Sequence, residues 1–139
     1  RLARIGCDHT LGFLSGGFDA WKNEGKPVDT IQSMSAEVFV NAYHAGVLLD
    51  VRKESEFESE HFIGAVNKPL DFIDVNYTSL NPDETYYIHC AGGYRSMIYA
   101  SILRTKGFKN IINLEGGFKA LKATGKLVVT EYVCPKTLL

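Results

Sequence analysis

Apolar residues along the chain fall into two kinds of run. Val47–Val51, Tyr86–Ile88 and Ile111–Leu114 are short and nearly all apolar, the pattern of parallel strands covered on both faces. Between them the spacing turns helical. Ala36 to Tyr43 follows Ser35, a good N-cap, and presents Val38, Phe39 and Ala42 as an inward face, with Gly46 ending the segment. Ser96 to Lys106 carries Ile98, Ile102 and Leu103 as its buried stripe, places Arg104 and Lys106 at its negative end and stops at Gly107. Phe118 to Ala123 is the last helix. Pro27 to Ser35 reads as a linker, Asp71 to Pro82 as a variable loop with a short helix, and Leu127 to Val133 as a weakly alternating, extended tail. Strands alternating with helices predict an α/β fold on a central, mostly parallel sheet with helices on both faces.

Composition narrows the class further. A net charge of −1 over 139 residues supplies no basic stripe for nucleic acid or for an anionic membrane surface. No apolar run approaches the ~20 residues of a membrane span, and the first residues show no signal-peptide pattern. Three cysteines, odd in number and widely spaced, do not form a disulfide framework, so a reducing, cytoplasmic compartment is expected. A chain near this length buries about 70% of its unfolded surface, enough for one domain with a real core.

Candidate chemistry concentrates in His89-Cys90-Ala91-Gly92-Gly93-Tyr94-Arg95-Ser96. Cys90 stands where the strand Tyr86–Ile88 hands over to a helix. Gly92 and Gly93 can take backbone angles that turn successive N–H groups inward, making an anion nest. The helix N-terminus adds a partial positive charge and Arg95 a full one. A thiol there loses its proton readily, and the thiolate is the nucleophile. An isolated cysteine is more often a small buried hydrophobe. Here strand, Cys, two glycines, Arg and helix occur in uninterrupted order, which favours a functional Cys90.

The loop Cys90-x-x-Gly93-x-Arg95-Ser96 resembles the active-site loop of the rhodanese (sulfurtransferase) family. Two further blocks agree. Val47-Leu48-Leu49-Asp50-Val51-Arg52, with Glu56-Phe57, His61-Phe62-Ile63-Gly64-Ala65 and Asn67-Lys68-Pro69-Leu70, is similar to the family's first-strand signature, and Asn113-Leu114-Glu115-Gly116-Gly117-Phe118 resembles its closing motif. The blocks stand in family order across roughly 33–129. The resemblance implies a rhodanese-like α/β fold and transfer of a sulfane sulfur from thiosulfate or a low-molecular-weight persulfide, through a Cys90 persulfide, to a thiol or cyanide acceptor. Cys90 would be the catalytic residue; Ala91, Gly92, Gly93, Tyr94, Arg95 and Ser96 would bind substrate; Asp50 and Arg52 would support the loop as an ion pair. Neither cofactor nor metal is required. Some rhodanese modules are instead binding or regulatory domains, usually marked by loss of the cysteine or collapse of the loop, and neither occurs here.

Spacing and neighbours bear on substrate. Cys90 to Arg95 is Cys-x4-Arg, whereas tyrosine and dual-specificity phosphatases use Cys-x5-Arg. By resemblance the shorter loop suits one transferable sulfur rather than a phosphoryl group. Thiosulfate-specific members carry a second basic residue where this chain has Ala91, which weakens thiosulfate as donor, while the Tyr94 ring could pack an organic persulfide. Arg95 would orient an anionic donor and lower the thiol pKa, or else be tied to a carboxylate and shape the loop.

Other candidates read as structural. Lys53, Glu54, Glu58 and Glu60 are expected to form a solvated face. His61 reads as a packing or capping residue. His89, adjacent to Cys90 on a strand, should point to the opposite face and not serve as its base. Phe72 and Tyr77 are candidate pocket walls. Cys7 and Cys134 show no local activation that would make them resolving thiols.

The chain also repeats itself. Gly16-Gly17-Phe18-Asp19-Ala20-Trp21-Lys22-Asn23-Glu24-Gly25-Lys26 matches Gly116-Gly117-Phe118-Lys119-Ala120-Leu121-Lys122-Ala123-Thr124-Gly125-Lys126 at an offset of 100. That offset is about one small domain. Residues 1–28 are therefore expected to be the end of a preceding rhodanese-like module, residues 33–129 the intact domain and residues 130–139 a tail, within a longer multidomain chain. Residues 1–28 would dock on the intact domain or on a neighbouring chain, the latter giving a homodimer. The tandem arrangement and loop sequence also resemble the C-terminal part of bacterial fusions of a metallo-β-lactamase-fold persulfide dioxygenase to rhodanese modules.

Overall fold

The structure, a computed structural model, describes residue 9 and residues 11–134. It divides into two compact units, Arg1–Thr30 and Ile31–Leu139.

In the first unit, helix α1 (Gly17–Asn23) is closed by Trp21, whose Nε1–H donates to the Pro27 carbonyl at 2.9 Å. Leu11, Phe13 and Phe18 are exposed. The internal repeat is also a repeat of backbone conformation: Gly16, Gly17 and Gly25 have φ of 80°, 61° and 66°, against 71°, 56° and 66° at Gly116, Gly117 and Gly125.

The second unit is a five-stranded sheet in which every pair is parallel, with β1 (Gln32–Met34), β2 (Val47–Asp50), β3 (Val66–Asn67), β4 (Tyr86–His89) and β5 (Ile111–Leu114) arranged as β1-β5-β4-β2-β3. The α/β class expected from the strand–helix alternation holds. Both faces are covered: Leu48 joins a cluster with Phe39, Phe62, Leu114, Phe118 and Leu121, while Leu49, pointing the other way, is equally buried. Helices α2 (Ala36–Ala42) and α6 (Gly117–Ala123) pack together, and α5 (Tyr94–Thr105) lies on β4 and β5. The shorter α3 (Glu54–Ser59) and α4 (Ile73–Asn76) complete the set.

Several boundaries and faces differ from the sequence reading. The stretch read as a linker contains β1, an edge strand paired with Ile112–Leu114; Gln32-Ser33-Met34 lacks an apolar run because an edge strand is half solvated. Ser35 does cap α2, accepting from the Val38 N–H at 3.4 Å. The inward face, however, runs through Ala36, Phe39 and Tyr43; Val38 and Ala42 are exposed, about 100° off that stripe. In α5 the buried stripe is Ser96, Tyr99, Ala100 and Leu103, with Ile98 and Ile102 on its flanks. The extended segment after α6 bonds along residues 59–63, with Thr130 N–H to the His61 carbonyl at 2.9 Å and Val133 N–H to the Ser59 carbonyl at 2.8 Å, so Thr130 and Val133 are strapped to the domain.

The register sets Asp50 opposite His89 and Ile88 opposite Asn113. The turns after β2, β4 and β5 therefore meet at one edge, the carboxyl end of a parallel sheet, where open α/β folds place their sites. Among the described residues no helix is long and apolar enough to cross a membrane.

Candidate active site

Strand β4 ends at His89, and the chain turns through Cys90 to Gly93 before α5 begins at Tyr94. Gly93, at φ 104°, supplies the left-handed step that reverses the chain and aims its own N–H at the Cys90 Sγ, 3.1 Å away. Gly92 does not take such an angle, contrary to the expectation for both glycines; a Cβ there would meet nothing within 4 Å. Gly92 is exposed and takes no part in the left-handed step. Ala91 and Tyr94 are exposed, Gly93 and Arg95 half-buried, and Ser96 buried.

From behind, the loop is held by the turn between β5 and α6. The Phe118 N–H donates to the Cys90 carbonyl at 2.6 Å, and the Lys119 N–H to the Ala91 carbonyl at 3.4 Å. Gly117 permits this approach. A Cβ at that position would overlap the Cys90 carbonyl oxygen and come within 2.9 Å of Ala91 C and Gly92 N. The Gly-Gly-aromatic block of the sequence is thus the seat on which the cysteine loop rests.

Cys90 is 1% exposed. Burial pushes its thiol pKa up, but the Ser96 N–H, the Ser96 hydroxyl and the N–H groups of Gly92 and Gly93 pull it down further, leaving it below the ordinary value. The Ser96 hydroxyl has one proton and two acceptors within reach, the Cys90 sulfur and the Gly93 carbonyl at 3.0 Å. Ser96→Ala is expected to move the thiolate titration, followed by ultraviolet absorbance, to higher pH. Below the wild-type pKa it should slow sulfur uptake several-fold, as loss of a hydrogen bond to a charged group worth ~1.5 kcal/mol implies.

Arg95 makes a two-pronged ion pair with Glu56, Nη1 to Oε2 at 2.6 Å and Nη2 to Oε1 at 2.9 Å. Of the two sequence readings of Arg95, the geometry matches a guanidinium tied to a carboxylate. The hydrogen bond from Arg95 holds the Glu56 carboxyl below its ordinary pKa against the opposing effect of burial, and Glu56 in turn raises that of Arg95. Glu56 was missed in the sequence. Its carboxylate also accepts from the Lys53 N–H at 3.2 Å, and its place within the block resembling the family's signature was the one signal the sequence offered.

Asp50 and Arg52 form a buried pair at 2.6 Å, with Arg52 Nε also donating to both Asp50 oxygens at 2.9 Å. Arg52 further donates to the Glu60 carbonyl at 2.8 Å and stacks over the Phe118 ring at 4.2 Å. It ties the β2 turn to α3 and to the residue that holds the Cys90 carbonyl. Glu60, expected on the solvated face, is only 16% exposed in its side chain and pairs with Lys122 at 2.6 Å.

His89 is fully buried among Phe62, Phe118 and Asp50, and desolvation pushes its imidazole below the ordinary pKa despite the Asp50 charge. His61 stacks on Phe57 at 3.8 Å, with Nδ1 2.7 Å from the Phe57 carbonyl, a packing and capping role as read. The Leu70–Phe72 turn stands beside the end of β2 through Leu70 N–H to the Val51 carbonyl, with Phe72 exposed. Tyr77 lies instead under Lys106, at the far end of α5 from the loop. Cys134 is exposed, and Cys7 falls outside the described residues. Among the described residues no group of three or more His, Cys, Asp or Glu is placed to hold a metal ion.

Comparison with known proteins agrees with the motifs and the fold. The family model for the rhodanese-like domain matches residues 35–124. The chain belongs to the rhodanese-like family.

Relatives of this rhodanese-like domain include the uncharacterized protein YqhL of Bacillus subtilis, 36% identical over 89 residues that make up 64% of this chain and 71% of the relative. A second Bacillus subtilis relative, YrkF, whose name describes a sulfur carrier protein, is 31% identical over 70% of this chain and 55% of its own length. The tRNA uridine(34) hydroxylase of Protochlamydia amoebophila is 38% identical over 79 residues, 51% of this chain and 25% of that protein. The chain thus spans about half of one of these relatives and a quarter of another. Among solved structures, a rhodanese-related protein from Thermoplasma volcanium superposes with a TM-score of 0.65 at 27% identity, covering 71% of this chain and 97% of that one. A rhodanese-like domain protein from Staphylococcus aureus gives 0.61 at 32% identity, covering 66% and 91%.

Proposed function

We propose that this rhodanese-like domain is a sulfurtransferase that moves a sulfane sulfur from thiosulfate or a low-molecular-weight persulfide to a thiol or cyanide acceptor. The observation that carries the reading is the Cys90 sulfur at the floor of an N–H-lined turn, with a Gly93 N–H 3.1 Å away and a pKa held below the ordinary thiol value. Such a thiolate is both more abundant at neutral pH and poised to receive charge. A relative named as a sulfur carrier supports the same chemistry.

In the first half-reaction the Cys90 thiolate attacks the outer sulfur of the donor, the donor's S–S bond breaks, and its electron pair leaves on sulfite or thiolate. Cys90 then carries a persulfide. The loop N–H groups, with that of Gly93 already 3.1 Å from the Cys90 sulfur, stabilise the charge on the persulfide's terminal sulfur as an oxyanion hole stabilises oxygen. An acceptor thiolate or cyanide attacks that sulfur and returns the Cys90 thiolate. Water is not a reactant in either step, and His89, buried and neutral, takes no part.

Initial rates test this directly. Varying donor against acceptor should give parallel double-reciprocal lines, the signature of a covalent enzyme intermediate, and Cys90→Ser should lower turnover on the order of a thousandfold. Intersecting lines with an undiminished Cys90→Ser rate would contradict the mechanism.

A further inference from the structure

We propose that Glu56 sets donor choice at the Cys90 loop: by pairing both prongs of its carboxylate with Arg95, it cancels the one full positive charge within the loop, and the site therefore selects an organic persulfide over thiosulfate. This rests on the sulfurtransferase reading and assigns the substrate class of the same site.

The two donors differ in the charge they bring. With a protonated persulfide the step is Cys90–S⁻ + R–S–SH → Cys90–S–SH + R–S⁻, with one negative charge on each side; the persulfide's proton travels with the transferred sulfur. With thiosulfate the step is Cys90–S⁻ + S–SO3²⁻ → Cys90–S–S⁻ + SO3²⁻, and three negative charges meet at a thiol that is itself buried. A site built for the second needs uncompensated positive charge near the sulfur.

The two guanidinium groups around this loop are each paired with a carboxylate. Arg95 is held by Glu56 at 2.6 and 2.9 Å. Arg52 is held by Asp50 at 2.6 Å. Lys119 reaches the Ala91 carbonyl through its backbone N–H, while its side chain is exposed to solvent, where salt and water screen its charge. Ala91 adds none. What remains for the incoming sulfur is the N–H nest and the start of α5, which suit a single negative charge. The exposed Tyr94 ring at the loop's edge and Met97 one turn on offer apolar surface to an organic group, which thiosulfate cannot use.

Glu56 is a positioning residue, so its test is a donor ratio. Rates of Cys90 sulfur loading from glutathione persulfide and from thiosulfate are measured on wild type, Glu56→Gln and Ala91→Lys, each confirmed folded by circular dichroism. Gln keeps an acceptor for Arg95 and for the Lys53 N–H but removes the charge; Lys adds a charge at an exposed position without touching the ion pair. Wild type should prefer the persulfide. Either variant should raise the thiosulfate-to-persulfide ratio by about tenfold or more, the effect of one unit charge a few ångströms from a dianion at intermediate dielectric. The gain for thiosulfate should shrink as salt is raised, and persulfide loading should not follow it. A merely structural Glu56 would change both donors alike. Should Glu56→Gln not fold, the uncharged Glu56→Ala takes its place, and Ala91→Lys reads whether charge added at the loop shifts the ratio in the same direction. A ratio within twofold of wild type in the folded variants, or a wild type that prefers thiosulfate, overturns the assignment while leaving the sulfurtransferase reading intact; no loading of wild type from either donor removes both.

Discussion

Gly117→Ala is expected to abolish most sulfur transfer and to lower the free energy of unfolding by about 3 kcal/mol or more. Two costs combine. At φ 56° an L-residue strains the backbone by ~1–2 kcal/mol. The new methyl would also overlap the Cys90 carbonyl oxygen and press on Ala91 C and Gly92 N, all backbone, so no flexible side chain can yield. Relief requires the cysteine loop to lift off α6. That breaks the Phe118 N–H bond to Cys90 and withdraws the N–H groups from the sulfur. Urea unfolding and the thiolate titration check the two halves separately: the midpoint should fall and the thiol pKa should rise. Gly17→Ala is the matched comparison, because Gly17 has φ 61° but nothing within 4 Å of the added methyl. It should leave sulfur transfer unchanged. An active, stable Gly117→Ala protein would show that the closing motif does not support the loop.

Asp50→Ala is the second large effect, with an expected loss of about 3–5 kcal/mol, the cost of stranding one member of a buried ion pair. Arg52 is 5% exposed and Asp50 fully buried, so removing the carboxylate leaves a guanidinium with only the Glu60 carbonyl and the Phe118 face for company. Because Arg52 reaches Phe118, whose N–H holds Cys90, activity should fall along with stability. The double change Asp50→Ala with Arg52→Met should recover much of the stability, since an apolar side chain of similar length removes the unpaired charge. Denaturant midpoints of the two variants check this. A double variant no more stable than the single one would mean that the loss comes from packing and not from the stranded charge.

The Cys90 thiol also makes stability depend on pH. Its pKa is lower in the folded domain than in an unfolded chain, so the folded state gains as pH rises from the folded value toward the unfolded one. That gain is lost as pH falls back through the folded pKa. Cys90→Ser removes this alkaline gain.

What the sequence made legible follows from how local each feature is. The strands β2, β4 and β5 and the Cys90 loop are written in consecutive residues, an apolar run handing over to Cys-x-x-Gly-x-Arg, and the structure has them in place. The Asp50–Arg52 pair was legible because two residues of opposite charge close one buried strand. What could not be read depends on partners distant in the chain. Strand β1 exists through pairing with residues 80 positions away, and its own Gln32-Ser33-Met34 carries no strand signal. Glu56 stood in the sequence only within the block that resembles the family's signature, without a role, because its partner Arg95 lies 39 positions away. The closing glycines were recognised by resemblance, but what Gly117 does, making room for the Cys90 carbonyl, appears only when β4 and α6 are seen together. The internal repeat shows the same limit from the other side: Gly17 repeats the angle of Gly117 with nothing packed against it.

The most direct measurement of the central claim is the intact mass of the reduced protein after brief exposure to glutathione persulfide or thiosulfate, beside Cys90→Ser. A gain of one sulfur, about 32 Da, in wild type alone, removed again by an acceptor thiol or cyanide, is the expected result. A folded, reduced wild type that gains no sulfur, or a Cys90→Ser protein that gains as much, would contradict it.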